Sequence, residues 1–138
     1  MPKPPLPPEA DELLRRPNPA VIATLRADGS PHTAATWYDW DGERVLVNMD
    51  RSRQRLQNMR RDARVSLTVL DEESWYRQLT VFGRAVEIVD DTDLADIDRL
   101  AQRYTGQPFR NRARHSVSAW IVVEGWYGWE NASPWPHA

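Results

Sequence analysis

The stretch AVIATLRADGSPHTAATWYDWDGERVLVNM, residues 20–49, decides the fold. AVIATLRA (20–27) is an apolar, strand-like run that stops at Asp28-Gly29, a pair suited to a tight hairpin turn. HTAATWYDW (32–40) ends at Asp41-Gly42, a second pair of the same kind, and RVLVNM (44–49) follows. Two hairpin signals between three runs of strand length predict three antiparallel strands in meander order.

Downstream the period changes. In RQRLQNMRRD (53–62), Leu56 and Met59, with Ala63 beyond, lie on one side of a short helix whose other faces carry arginine. ARVSLTVL (63–70) returns to strand, and a polar turn over Asp71–Ser74 leads into a long strand from Trp75 to Val89. Gly83 inside that strand predicts a bulge or a close backbone approach. Asp90–Asp93 offers caps for a helix running to Tyr104, which Gly106 and Pro108 stop. FRNRARHS (109–116) reads as a polar, basic loop before a last aromatic strand, 116–129. Upstream, Glu9–Arg16 forms a short helix ended by Pro17 and Pro19. Residues 1–8 hold five of the eleven prolines and read as an extended arm with little fold of its own. The expected organisation is an arm (1–8), one domain (9–130) and a tail (131–138). The expected class is mainly β with helical inserts: about six antiparallel strands in a closed or nearly closed barrel.

Bulk properties narrow the function. The 138 residues suffice for one core. A net charge of −2 argues against a nucleic-acid partner. Cysteine is absent, which removes disulfides, thiolate metal sites and thiol nucleophiles. Neither a membrane-spanning run nor a secretory h-region is present, so no membrane partner and a cytoplasmic location are expected.

RSRQRLQNMRRDAR (51–64) carries six arginines, Arg51, Arg53, Arg55, Arg60, Arg61 and Arg64, against Asp62 alone. A strand end, Ser52 and a helix start beneath several guanidiniums suit a phosphate, because arginine grips its oxygens bidentately. From charge alone a solvated helix face explains the run as well. Trp37, Tyr38 and Trp40 could line a ring-binding cleft, and core packing or a subunit interface explains each of them too. His32, His115 and His137 show no metal-ligand spacing, and no serine sits in a nucleophile elbow. The carboxylates of Asp90, Asp91, Asp93, Asp96 and Asp98 read as helix capping and solvation. No acid–base dyad stands out.

Five segments in order carry a resemblance: AVIATLRADGSPHTAATWY (20–38), VLVNMDRSRQRLQNMRRDARVSL (45–67), LTVFGRAVEIVDD (79–91), IDRLAQRYTGQPF (97–109) and SAWIVVEGWYGW (118–129). Together they resemble the pyridoxamine 5'-phosphate oxidase-like superfamily, specifically its actinobacterial branch dependent on the deazaflavin coenzyme F420. The resemblance implies a six-stranded, FMN-binding-like split β-barrel that forms a homodimer with cofactor grooves between subunits. It implies that Arg53 and Arg55, with Ser52 and Asn58 adjacent, hold the cofactor phosphate. The ring would lie along Thr33, Thr36, Trp37, Val47 and Asn48, and the partner subunit would close the groove near Trp75 and Tyr76. The family commonly has Lys where Arg55 stands, which preserves charge and changes geometry.

In such proteins the cofactor carries the hydride chemistry and the chain supplies orientation and electrostatics. Six arginines favour F420, whose phosphate bears an acidic tail, over FMN, whose phosphate does not. The expected function is hydride transfer from reduced F420 to a small conjugated organic substrate, the cofactor being non-covalent and metal-independent. Two alternatives stay open: an FMN enzyme of the pyridoxamine-phosphate-oxidase kind, with Arg110, Arg112 and Arg114 near its substrate, and a non-catalytic flavin or deazaflavin carrier.

Overall fold

Around Asp28-Gly29 the chain turns back on itself as its sequence predicts. Gly29 takes a φ of 85°, and the Asp28 carboxylate accepts the Ser30 amide at 2.9 Å. The strands on either side, β1 (Ala20–Leu25) and β2 (Pro31–Thr36), pair antiparallel with Ala20 opposite Thr36. The computed structural model describes residues 2–130 and 133–134, so His137, Trp135 and most of the tail lie outside the described residues.

Beyond this hairpin the meander fails. Strand β2 stops at Thr36, and the chain crosses to the far side of the sheet before β3 (Asp39–Trp40) and β4 (Arg44–Asp50) form the second hairpin. The cause is a pair of distant side chains. The Tyr38 amide donates to the Tyr104 hydroxyl at 3.4 Å, and its carbonyl accepts from Arg103 at 3.0 Å. The groups that would continue the ladder are thus bound to a helix, and the Tyr38 ring sinks into the core. β1 pairs instead with β5 (Arg64–Leu70), and β4 pairs with β7 (Ser116–Glu130).

The sheet runs β2-β1-β5-β6-β7-β4-β3, with β6 spanning Arg77–Asp90 and β8 (Ser133–Pro134) pairing onto β7. Six strands are long, and the two-residue β3 makes the path seven strands rather than the six expected. Gly83 sits at a register shift between β6 and β7, and a Cβ there would overlap the Val122 carbonyl. A bulge with close backbone approach is therefore the reason for glycine here.

Helix α1 (Pro8–Arg15) buries Ala10, Leu13 and Leu14, while α2 (Gln54–Arg61) buries Leu56, Asn58 and Met59, half-buries Arg55 and leaves Arg60 and Arg61 exposed. Helix α3 (Ala95–Thr105) is capped from outside its own start. The Asp91 carboxylate accepts the Asp96 and Ile97 amides, each at 3.0 Å, and Gly106 ends the helix in the left-handed region. The proline arm is more structured than its composition suggests. Pro7 is buried, Leu6 packs on the core, and the Pro2 carbonyl accepts the Trp126 amide at 3.1 Å. Among the described residues no helix is long and apolar enough to cross a membrane.

Candidate functional site

The crossing at Trp37 opens a groove of about 790 Å³. Its walls are the end of β2, Asn48 of β4, the start of α2, one face of α3 and the loop after α3. Part of the lining is aromatic. The Trp37 ring stacks on Tyr104 with centroids 5.4 Å apart and planes 9° from parallel, and Phe109 meets Trp37 edge-on at 6.2 Å. The Tyr104 hydroxyl donates to the Asn18 carbonyl at 2.7 Å, and burial pushes its pKa up to about 12. Tyr104 is therefore a fixed support for Trp37 and a poor proton donor at neutral pH.

Arginines gather along the same groove, Arg114 with its guanidinium 4.8 Å from the Phe109 ring centroid. Arg53 occupies the N-cap of α2, Arg55 follows one residue into the helix, and Arg114 arrives from the loop between α3 and β7. Arg55 Nη2 donates to the Asn48 carbonyl at 3.2 Å, and Arg114 Nη2 donates to Asn48 Oδ1 at 3.1 Å. The Nε atoms of Arg55 and Arg114 are both buried without a hydrogen-bond partner. Burial lowers the pKa of Arg55, and the charges of Arg53 and Arg114 lower it further. Burial also lowers that of Arg114, with Asp50 and Asp91 opposing and Arg53 adding to the effect. Three cations crowd together with donors to spare, an arrangement that an anion would relieve.

Asn48 is the hub of these contacts. Its amide nitrogen donates to Ser118 Oγ at 3.1 Å, and the single hydroxyl hydrogen of Ser116 faces two acceptors, Asn48 Oδ1 at 3.0 Å and Asp91 Oδ2 at 2.8 Å. Buried Asn48, Asp91, Ser116 and Ser118 thus form one polar cluster under the arginines.

Of the residues expected from sequence, the groove brings together Thr36, Trp37, Asn48, Arg53 and Arg55. The others lie elsewhere. Thr33 is exposed on β2 opposite Ala23, and Val47 is wholly buried in the core. The exposed Ser52 spends its hydroxyl on Asp50 at 2.5 Å. Asn58 is buried and donates to Thr24 Oγ1 at 3.0 Å, joining α2 to β1 rather than facing the groove. Trp75 and Tyr76 are exposed in the turn before β6 and stack on each other at 4.5 Å. Sequence reasoning missed Tyr104 and Phe109 as groove residues. It named Arg114 only beside a different substrate. The basic loop was visible, but its path back to Asn48 spans 66 residues.

Comparison with known proteins points one way. The profile of the family described as pyridoxamine 5'-phosphate oxidase matches residues 6–130. A solved structure described as an F420 reductase is 31% identical, covers 88% of this chain and 98% of its own, and superposes with a TM-score of 0.82. A conserved hypothetical protein from Mycobacterium tuberculosis is 26% identical over 94% of this chain and 87% of its own, with a TM-score of 0.71. General stress protein 26 from Bacillus anthracis, 18% identical over 86% of this chain and 89% of its own, shares the fold at a TM-score of 0.64. No curated protein matches the chain.

Proposed function

Because the chain belongs to the pyridoxamine 5'-phosphate oxidase family, a family of flavin- or deazaflavin-binding oxidoreductases, we propose that its groove holds coenzyme F420. The activity we assign is hydride transfer to a small conjugated organic substrate. One observation carries this reading: three arginines crowd into a groove that is also lined by stacked aromatic rings.

The residues present fit such a cofactor. Arg53 and Arg55 would hold its phosphate, with the partnerless Arg55 Nε as one spare donor. Trp37, held by Tyr104, and the β2 backbone at Ala34–Thr36 would bound its ring. When bound in its reduced form, the deazaflavin supplies the hydride. The chain positions the reactants, neutralises the phosphate and keeps water from the ring. The arginine excess and the likeness to an F420 reductase favour the deazaflavin over FMN. We also propose that the protein is a homodimer whose partner closes the groove near Trp75 and Tyr76.

Titrating the protein with F420 and FMN side by side tests the cofactor. A charge-assisted contact contributes on the order of 1.5–3 kcal/mol, roughly one to two decades of affinity. Arg55→Ala should weaken binding by that factor, Arg55→Lys should recover part, and added salt should hurt the native protein more than the Ala variant. Equal dissociation constants for all three proteins would remove the site, and tighter binding of FMN than of F420 would replace the cofactor.

A further inference from the structure

Glu72 is the one carboxylate in the wall of a groove whose other charged wall residues, Arg53, Arg55 and Arg114, are cations. It belongs to the turn between β5 and β6, which the Leu70 amide ties to the Pro19 carbonyl at 3.0 Å, beside the start of β1. Helix α2 is tied instead to the last residues of β1, by Asn58 on Thr24 Oγ1 and Arg61 on the Leu25 carbonyl. Near Glu72 the wall is Pro17, Pro19 and Ala20, none of them charged. The turn is also fixed relative to the rings. The Glu72 amide donates to Oδ1 of the buried Asn18 at 3.1 Å, and the Asn18 carbonyl accepts the Tyr104 hydroxyl at 2.7 Å. Asn18 Nδ2 closes the arrangement on the Leu13 carbonyl at 2.8 Å. One asparagine thus sets both the turn that carries Glu72 and the tyrosine that backs Trp37. The two adjacent acids of this turn are used differently. Asp71 is buried, meets Arg16 at 3.2 Å and Arg77 at 3.6 Å, and accepts the Glu73 amide at 2.9 Å. Glu72 is exposed, and among the described residues no ion pair or hydrogen bond takes its carboxylate. A free carboxylate beside apolar walls favours a cation or a hydrogen-bond donor and repels an anion.

We propose that Glu72 determines substrate specificity in this groove. It admits planar conjugated substrates that are neutral or cationic and carry an N–H or O–H donor, and it turns away carboxylates, sulfonates and phosphates. The inference rests on the reading of the groove as a deazaflavin site and says which substrates that site takes. The arginines attract the anionic cofactor and are neutralised by it, so an incoming substrate meets the one negative wall residue instead. A phosphorylated substrate of the pyridoxamine phosphate kind belongs to the class that Glu72 excludes.

The test uses one ring system with three charges. Native protein, Glu72→Gln and Glu72→Lys, each loaded with oxidised F420 so that no turnover occurs, are titrated with naphthoquinone, its sulfonate and its trimethylammonium derivative. Quenching of the bound deazaflavin's fluorescence reads arrival at the ring, and thermal melting checks the fold. Native protein should bind the ammonium probe about tenfold more tightly than the sulfonate, with the neutral quinone between them, and high salt should narrow the gap. Glu72→Gln should shrink that ratio about fivefold, and Glu72→Lys should reverse the order of the two charged probes. Melting should stay at the native value in both variants, because the side chain is exposed and makes no contact that folding depends on. Equal affinity of native protein for the two charged probes, no uptake of any probe, or one ratio shared by all three proteins overturns the proposal, while F420 binding leaves the cofactor reading standing. Failure of native protein to bind F420 overturns that reading and this inference with it.

Discussion

Asp50 ends β4 at the threshold of the arginine segment, and three separate donors converge on it. It accepts the Ser52 amide at 2.9 Å, the Ser52 hydroxyl at 2.5 Å and the His115 amide at 3.2 Å. The Ser52 hydroxyl is the largest reason its pKa falls to about 2 from an ordinary 3.8. A carboxyl depressed on folding stabilises the protein above its unfolded pKa and ceases to do so as pH falls through the folded one. Asp50 therefore supports the fold fully above about pH 4 and loses that effect between about pH 4 and 2. Ser52→Ala should return this carboxyl toward 3.8, visible in its carbonyl chemical shift during an acid titration. A shift midpoint still near 2 would show that the backbone amides suffice. Ser52 also shows what sequence could read at this scale. Its place beside Arg53 was evident, but its hydroxyl is turned to a carboxylate two residues back, and residue identity does not state which of two nearby partners a hydroxyl chooses.

At the end of helix α1 the Asn18 side-chain amide nitrogen donates to the Leu13 carbonyl at 2.8 Å, and the carbonyls of Leu14, Arg15 and Arg16 are taken by a residue of α3. Arg103 donates to all three and to the Tyr38 carbonyl, with its guanidinium 5.1 Å from the Tyr38 ring centroid. One guanidinium with a fixed fork of donors thus closes a helix and ends a strand at once. Arg103→Ala should cost on the order of 3 kcal/mol, because half-buried acceptors lose a charged donor together. Urea unfolding would show it as a lower midpoint at similar slope, and an unchanged midpoint would mean that water replaces the guanidinium freely. The elements themselves were largely legible, since apolar spacing gave α2, α3 and the long strands nearly to their ends. The β2 break was not. Local sequence there favours a continuous strand, and only Arg103 and Tyr104, more than sixty residues on, redirect it.

Across the whole molecule the tryptophans divide. Trp126 and Trp40 are buried, Trp37 and Trp120 are half-buried, and Trp75 and Trp129 are 59% and 40% exposed. Register places Val21, Thr68, Thr80 and Tyr127 in one row across β1, β5, β6 and β7 on the outward face of the sheet, with Val21 and Tyr127 each 39% exposed. A monomer gains nothing from so much exposed aromatic and aliphatic surface near one side. Light scattering at micromolar concentration should give twice the 16.0 kDa chain mass, and a single species at 16.0 kDa would end the dimer reading. At this scale sequence gave the class of fold, through hairpin signals and alternating runs. The order of strands eluded it, because which strand lies beside β4 depends on where the chain crosses.

The arm that precedes all of this ends in a simple asymmetry of hydrogen bonding. Along the half of β7 beyond Val122, where β4 no longer pairs, the Pro2 carbonyl receives the Trp126 amide. Prolines 2, 4, 5 and 7 have no amide hydrogen to offer in return. A neighbouring molecule that tried to lay a strand against this side would meet a segment in which only Lys3 and Leu6 keep an amide hydrogen to donate. The ladder stops within the chain, and a tryptophan-rich strand is kept from templating its own aggregation.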